Sequence, residues 1–141
     1  MNYELKSITV LRYLTLVSMA GYTVYFFAPY LYETFYREEI IEVLFSSPTP
    51  PVFVLPQSFA YTLFSVHIIA YLMILMKFSI SAKLFLAAIA ADILVILLSG
   101  MVTYTVLDRL VLTIVNMCDG ALLFLLFYVK VLDSTESIES K

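Results

Sequence analysis

Residues 57–76, QSFAYTLFSVHIIAYLMILM, form a long apolar run that contains no Asp, Glu, Lys or Arg. A helix rises about 1.5 Å per residue, so this run is long enough to cross a hydrocarbon core of about 30 Å. His67 lies almost at its midpoint. The stretch therefore predicts a transmembrane helix with an ionisable side chain near the middle of the bilayer.

Three further apolar runs of similar length lie at residues 13–32, 84–107 and 110–129, and the last two are interrupted by Asp92 and Asp119. The first run is longer than the roughly 7–15 apolar residues of a signal peptide, so we interpret it as an uncleaved span. The sequence predicts an all-α integral membrane protein with four transmembrane helices. The predicted spans are about 10–32, 57–77, 83–107 and 109–130.

Composition supports one membrane domain and excludes several functions. Of 141 residues, 62% are hydrophobic and 13% charged, and the mean hydropathy is +0.98, outside the usual soluble range. We predict a single domain at 1–132 and a disordered cytoplasmic tail at 133–141. The net charge is −3 with scattered basic residues, so we expect no nucleic-acid partner. Cys118 is the single cysteine, which excludes an internal disulfide and a multi-thiolate metal site.

Basic residues indicate the orientation, because cytoplasmic connections of membrane proteins carry an excess of Lys and Arg. The short connections after the second and third spans favour an antiparallel, up-down-up-down bundle. In that topology, Arg37 and Arg109 fall on one side. The other six basic residues fall opposite: Lys6, Arg12, Lys77, Lys83, Lys130 and Lys141. We therefore expect a multi-pass protein of a cell membrane, specifically a bacterial inner membrane, with both termini cytoplasmic.

The connection between the first two spans begins with an acidic segment and ends with prolines. Residues 33–45 alternate charged and apolar side chains, which predicts a short amphipathic helix at the interface. Pro48–Pro56 would then form an extended return path. The acidic residues either attract cations or a basic partner to this outer loop, or form a solvated polar face. They are Glu33, Glu38, Glu39 and Glu42.

His67, Asp92 and Asp119 fall in one layer of the membrane, separated in depth by roughly 5 Å by the helical rise. A charge at the centre of a span costs about 2.5–3.5 kcal/mol, so we expect these side chains to face the bundle interior or water. Helical spacing adds polar neighbours on the same stripes. These further polar-core candidates are Tyr22, Tyr71, Ser99 and Asn116.

Two functions remain open for this layer. In the first, Asp92 and Asp119 exchange a proton or a monovalent cation while His67 orients or relays it, so that the protein is a transport, channel-like or accessory component. In the second, the same groups hydrogen-bond between helices, and the protein is a structural or interaction subunit. We expect the protein to lie in the lipid bilayer and to associate either with further copies of itself or with a partner membrane protein.

Catalysis, metals and cofactors have little support in the sequence. The chain has no nucleophile–base pair or phosphate-binding loop that would indicate an enzyme. The HxxxH and ExxH spacings of helical metal sites are absent, and one histidine cannot provide two axial haem ligands. We therefore predict no metal and no cofactor.

Small four-helix antiporters of the multidrug class are similar in size and carry an essential membrane carboxylate. Their carboxylate lies in the first span, whereas residues 13–32 contain none. We therefore assign the chain to no family on sequence grounds.

Overall fold

The computed structural model describes residues 2–45, 56–99 and 105–128, and every regular element in these ranges is helical. Four of the helices are long and apolar enough to cross a membrane, which confirms the predicted all-α architecture at that level. The elements are α1 (Asn2–Phe35), α2 (Glu38–Phe45), α3 (Gln57–Leu75), α4 (Ser81–Ser99), α5 (Val106–Leu123) and a π-helical end (Phe124–Tyr128).

The apolar windows within these helices match the four hydrophobic runs of the sequence. Their mean hydropathy lies between 1.3 and 2.2. The windows are Ser7–Tyr32, Ser58–Leu75, Ser81–Leu98 and Val106–Tyr128. Hydrophobic side chains also cover the outside of the bundle, where Leu97 and Met117 are each 72% exposed. Such an extensive apolar surface is unusual for a protein surrounded by water.

The boundary between the last two long helices differs from the sequence-based expectation. Helix α4 is described as far as Ser99, and α5 already begins at Val106, before the predicted start at about residue 109. Asp108 therefore lies in the first turn of α5 rather than in a connecting turn. The cause is a capping box: Thr105 Oγ1 accepts from the Asp108 amide at 3.0 Å, and Asp108 Oδ2 accepts from the Thr105 amide at 3.1 Å.

The acidic segment also differs in detail. Helix α1 continues to Phe35 and so includes Glu33, while the short α2 lies where an amphipathic helix was predicted. Two acidic residues, Glu38 and Glu39, occupy the first turn of α2. Their negative charges interact favourably with the positive end of the helix dipole. The predicted extended path at 48–55 and the predicted tail at 133–141 lie outside the described residues.

Helix α1 is the centre of the packing. It packs most extensively against α5 and also against α3, while α4 packs against α3. Gly21 permits the close approach of α5, because a Cβ built there would lie 2.7 Å from Val115 Cγ2. The main apolar core includes Leu11, Phe85 and Leu122, which are each at most 2% exposed.

The contacts between α1 and α3 are largely aromatic. The contacting residues follow opposite orders along the two helices, so the middle of α1 lies beside the middle of α3. The pairs are Tyr30 with Tyr61, Phe26 with Phe64 and Tyr22 with His67.

Candidate functional site

Two polar groups of side chains lie in the centre of this packing, and the first joins α3 to α4. His67 Nε2 lies 3.0 Å from Asp92 Oδ2. His67 is 1% exposed, whereas the Asp92 side chain is 29% exposed. The histidine is thus enclosed by protein, while the carboxyl group remains partly accessible.

The second ring nitrogen of His67 has two neighbours with different hydrogen-bonding requirements. Nδ1 lies 3.1 Å from the Leu63 carbonyl oxygen and 3.4 Å from the Tyr22 hydroxyl. Because a carbonyl only accepts, the contact with Leu63 requires a proton on Nδ1. One further proton then lies between Nε2 and Asp92. Without its proton, Nδ1 accepts from Tyr22 instead, so the ring has a partner in either protonation state.

The second polar group joins α3 to α5. The Tyr71 hydroxyl lies 3.0 Å from Oδ1 and 3.1 Å from Oδ2 of Asp119 and donates to this carboxyl group. Tyr71 is fully buried and Asp119 is 9% exposed. Ser18 of α1 is also buried close to this pair, but within the described structure its hydroxyl makes no hydrogen bond of standard geometry.

Tyr22 connects the two groups through its ring. It stacks on His67 at a centroid distance of 4.5 Å and meets Tyr71 edge-on at 6.4 Å. His67 and Tyr71 lie four residues apart on α3 and therefore share a face, with ring centroids 6.3 Å apart. Three helices thus present aromatic and ionisable groups around one short segment of α3.

Two cavities give access to the carboxyl groups. One, with a volume of about 380 Å³, is lined by Asp92, Asn116 and Asp119 together with apolar residues of α4 and α5. The other, of about 320 Å³, extends from Asp92 to Pro56 at the start of α3. Tyr22 and Asp92 line both cavities. The packing explains this arrangement. Helices α4 and α5 are consecutive in the chain, but α4 packs against α3 and α5 packs against α1.

The remaining predicted site residues have more peripheral positions. Asn116 is exposed at the edge of the first cavity. The hydrogen bond to Asp119 described above comes from Tyr71. Ser99 is the last residue of α4, and its side chain lies outside the described part. Among the acidic residues, Glu38, Glu39 and Glu42 are exposed, whereas the side chain of Glu33 is also outside the described part.

Sequence reasoning missed Phe26 and Phe59, which line the second cavity. A signal was present in α1, where Phe26 follows Tyr22 by one helical turn. Helical spacing also places Ser18 and Tyr25 on the same polar stripe of the first span as Tyr22. Phe59 had no comparable signal, because aromatic residues are frequent throughout the chain, with 11 Phe and 11 Tyr.

The arrangement can hold and exchange protons at two carboxyl groups, one paired with imidazole and one with a phenol. Within the described residues, no three His, Cys, Asp or Glu side chains form a group that could hold a metal ion. Comparisons of the chain with protein-family models, with curated proteins and with solved structures find no match.

Proposed function

We propose that the protein is a small multi-pass membrane protein whose midplane cluster carries a proton or a monovalent cation, as a transport, channel-like or accessory component. In this proposal α1, α3, α4 and α5 cross a bacterial inner membrane as one up-down-up-down domain, both termini are cytoplasmic, and α2 lies at the outer interface. The four apolar helices support membrane insertion, and the six-to-two distribution of basic residues supports the orientation.

The observation that carries the proposal is the access of two cavities to Asp92, with Asp119 on one of them. Carboxyl groups that only fasten helices can be enclosed completely. Asp92 instead combines a bond to His67 with partial exposure. A carboxyl group that both faces a cavity and belongs to a proton-sharing pair is suited to taking up and releasing a cation.

The two polar groups define a sequence of proton positions. A proton reaches Asp92 through the cavity near Pro56 and is shared with His67 Nε2. Asp119 lines the neighbouring cavity and receives the proton by way of the shared space between α4 and α5. Loss of the Nδ1 proton is compensated by the Tyr22 hydroxyl, so His67 changes its protonation without leaving a buried nitrogen unpaired.

The substitution Asp119→Asn separates proton transfer from helix packing. An asparagine oxygen still accepts from Tyr71, but the amide does not bind and release a proton near neutral pH. The flux is measured in proteoliposomes with an imposed pH gradient and an internal pH-sensitive dye. We expect the flux of the variant to be at least tenfold lower than that of the wild type. Its thermal stability in detergent should stay close to that of the wild type.

Met117→Ala is a matched control on α5, because Met117 is 72% exposed and lines neither cavity. This variant should retain the wild-type flux. The transport proposal is contradicted if wild-type vesicles show no more flux than empty vesicles over a range of pH gradients. Equal flux in the wild type and Asp119→Asn would remove Asp119 from the path.

The second candidate function is a structural or interaction subunit. It is favoured by a specific observation: the bonds Tyr22–His67–Asp92 and Tyr71–Asp119 connect all four long helices. In that case Asp119→Leu should release a partner membrane protein or dissociate a homo-oligomer in mild detergent, whereas Asp119→Asn should not. An unchanged particle mass for both variants, measured by light scattering, would contradict this function.

A further inference from the structure

We propose that the cavity between Tyr25, Phe26, Phe59 and Asp92 binds a small organic monocation with an apolar body, such as a substituted ammonium ion. The inference rests on the proposed cation-carrying function and names the substrate class of the same site. In this cavity one accessible carboxyl group is surrounded by aromatic and aliphatic walls.

The aromatic walls favour a cation over a neutral or anionic ligand. Tyr22, Tyr25, Phe26 and Phe59 line this cavity from α1 and α3. The face of an aromatic ring attracts an ammonium group through its quadrupole, and this attraction increases when the cation is removed from water. A small inorganic cation would lose its water shell here without gaining the oxygen ligands that it needs, whereas an alkylated ammonium ion keeps its apolar contacts.

Asp92 provides the opposite charge at the end of the cavity nearest the middle of the helices. His67 contacts Oδ2, and the carboxyl side chain keeps 29% of its surface exposed. A ligand cation therefore reaches Asp92 without displacing the buried histidine. A volume of about 320 Å³ lies at the lower end of the range of small-molecule sites, which is about 300–1,000 Å³.

Binding of such a cation is coupled to loss of a proton. The His67–Asp92 pair with its shared proton has no net charge. When the organic cation arrives, one proton leaves His67 for water in the cavity, Asp92 stays ionised beside the ligand, and Tyr22 donates to Nδ1. The other ionisable groups that face this pair are Tyr71 of α3 and Asp119 of α5. Affinity should consequently increase as the pH rises.

The test uses benzyltrimethylammonium as the probe and the full-length protein in uncharged maltoside micelles, with binding measured by isothermal titration calorimetry. Two reference compounds separate the contributions: tetramethylammonium has the charge without the ring, and phenylmethanesulfonate has the ring with the opposite charge. We expect benzyltrimethylammonium to bind at least tenfold more tightly than either compound. In weak buffer, binding should release close to one proton per ligand.

Two substitutions and one control identify the site. Asp92→Asn keeps an oxygen that accepts from His67 but removes the charge, and it should weaken benzyltrimethylammonium binding at least tenfold. Phe59→Leu should weaken it about threefold to fivefold, the loss of one cation–π contact. Leu97→Ala, at a highly exposed position of the same helix as Asp92, should bind as the wild type does.

The outcomes distinguish this inference from the proposed function. Equal binding by wild type and Asp92→Asn, equal binding of phenylmethanesulfonate, or heat no larger than that of empty micelles would overturn the organic-cation site. A proton flux that depends on Asp119 would survive that result. Conversely, specific binding without any flux would support the site and overturn the transport proposal.

Discussion

A histidine at the centre of an apolar helix exchanges its water contacts for protein contacts, and His67 does so at both ring nitrogens. Nε2 meets Asp92, and Nδ1 meets the Leu63 carbonyl and the Tyr22 hydroxyl. An unsatisfied buried polar group costs about 1–3 kcal/mol. The bonds therefore decide whether α3 tolerates an ionisable residue at this position.

Tyr71→Phe tests the same principle at Asp119. The substitution keeps the ring but removes the hydroxyl that donates to both carboxyl oxygens. We expect the free energy of unfolding to fall by about 1–2 kcal/mol, because a buried carboxyl group loses its partner. The measurement is reversible unfolding in mixed micelles as the fraction of denaturing detergent is increased.

Tyr13→Phe is the matched control, since Tyr13 is 67% exposed. Its effect on the free energy of unfolding should stay within about 0.5 kcal/mol, as for an ordinary surface substitution. A loss at Tyr71 no larger than that at Tyr13 would show that the bond to Asp119 adds no stability.

Lys77 carries backbone strain at the end of α3. Its φ is 61°, a left-handed conformation that favours glycine. The Lys77 amide donates to the Ile74 carbonyl and the Phe78 amide to the Met73 carbonyl, both at 3.0 Å, which is the Schellman arrangement. Lys77→Gly should therefore raise the free energy of unfolding by up to about 1 kcal/mol.

Lys83→Gly makes the same change of side chain within helix α4, where glycine is unfavourable. It should lower the free energy of unfolding by about 0.5–1 kcal/mol. Opposite signs for the two variants in one unfolding assay would verify the left-handed cap. A loss of stability for Lys77→Gly similar to that for Lys83→Gly would exclude it.

At the scale of the helices, the sequence predicts the apolar centres better than the ends. Long, predominantly apolar runs leave little alternative to a helix, and all four appear as helices. The start of α5 was placed wrongly because a charged residue was interpreted as part of a turn. Asp108 instead caps the helix together with Thr105. A capping box and a polar turn use the same residue types, so local composition does not separate them.

The close contact between α1 and α5 gives a prediction about Gly21. A methyl group at this position would lie 2.7 Å from Val115 Cγ2, and the branched valine has few alternative rotamers in a helix. Gly21→Ala should lower the free energy of unfolding by about 1–3 kcal/mol, the usual cost of overpacking. Detergent unfolding of the purified protein measures it.

Gly120→Ala adds the same methyl group at a position with no neighbour within 4 Å. This variant should be as stable as the wild type or slightly more stable, because alanine favours a helix. If Gly21→Ala and Gly120→Ala change the free energy of unfolding alike, the tight approach of α1 and α5 does not exist in the protein.

At the scale of the whole molecule, the sequence identified ionisable residues but not the space around them. His67, Asp92 and Asp119 could be selected because each interrupts an apolar run. The cavities could not be predicted from the sequence, because they result from the packing of α4 on α3 and of α5 on α1. These choices depend on side-chain fit between distant segments, and all four helices offer similarly apolar surfaces.

The proposed orientation of the whole molecule places six of the basic residues on the cytoplasmic side, and cysteine labelling tests it. In a Cys118→Ala background, a single cysteine is introduced at position 49 or 137 by Thr49→Cys or Ser137→Cys. A membrane-impermeant maleimide should label the first variant, but not the second, in intact cells whose outer membrane has been permeabilised. Both variants should react after the inner membrane is disrupted. Labelling of Ser137→Cys alone in intact cells would show that the topology is the opposite of the proposed one. The cavity near Pro56 would then open toward the cytoplasm, and the direction of cation entry would be reversed.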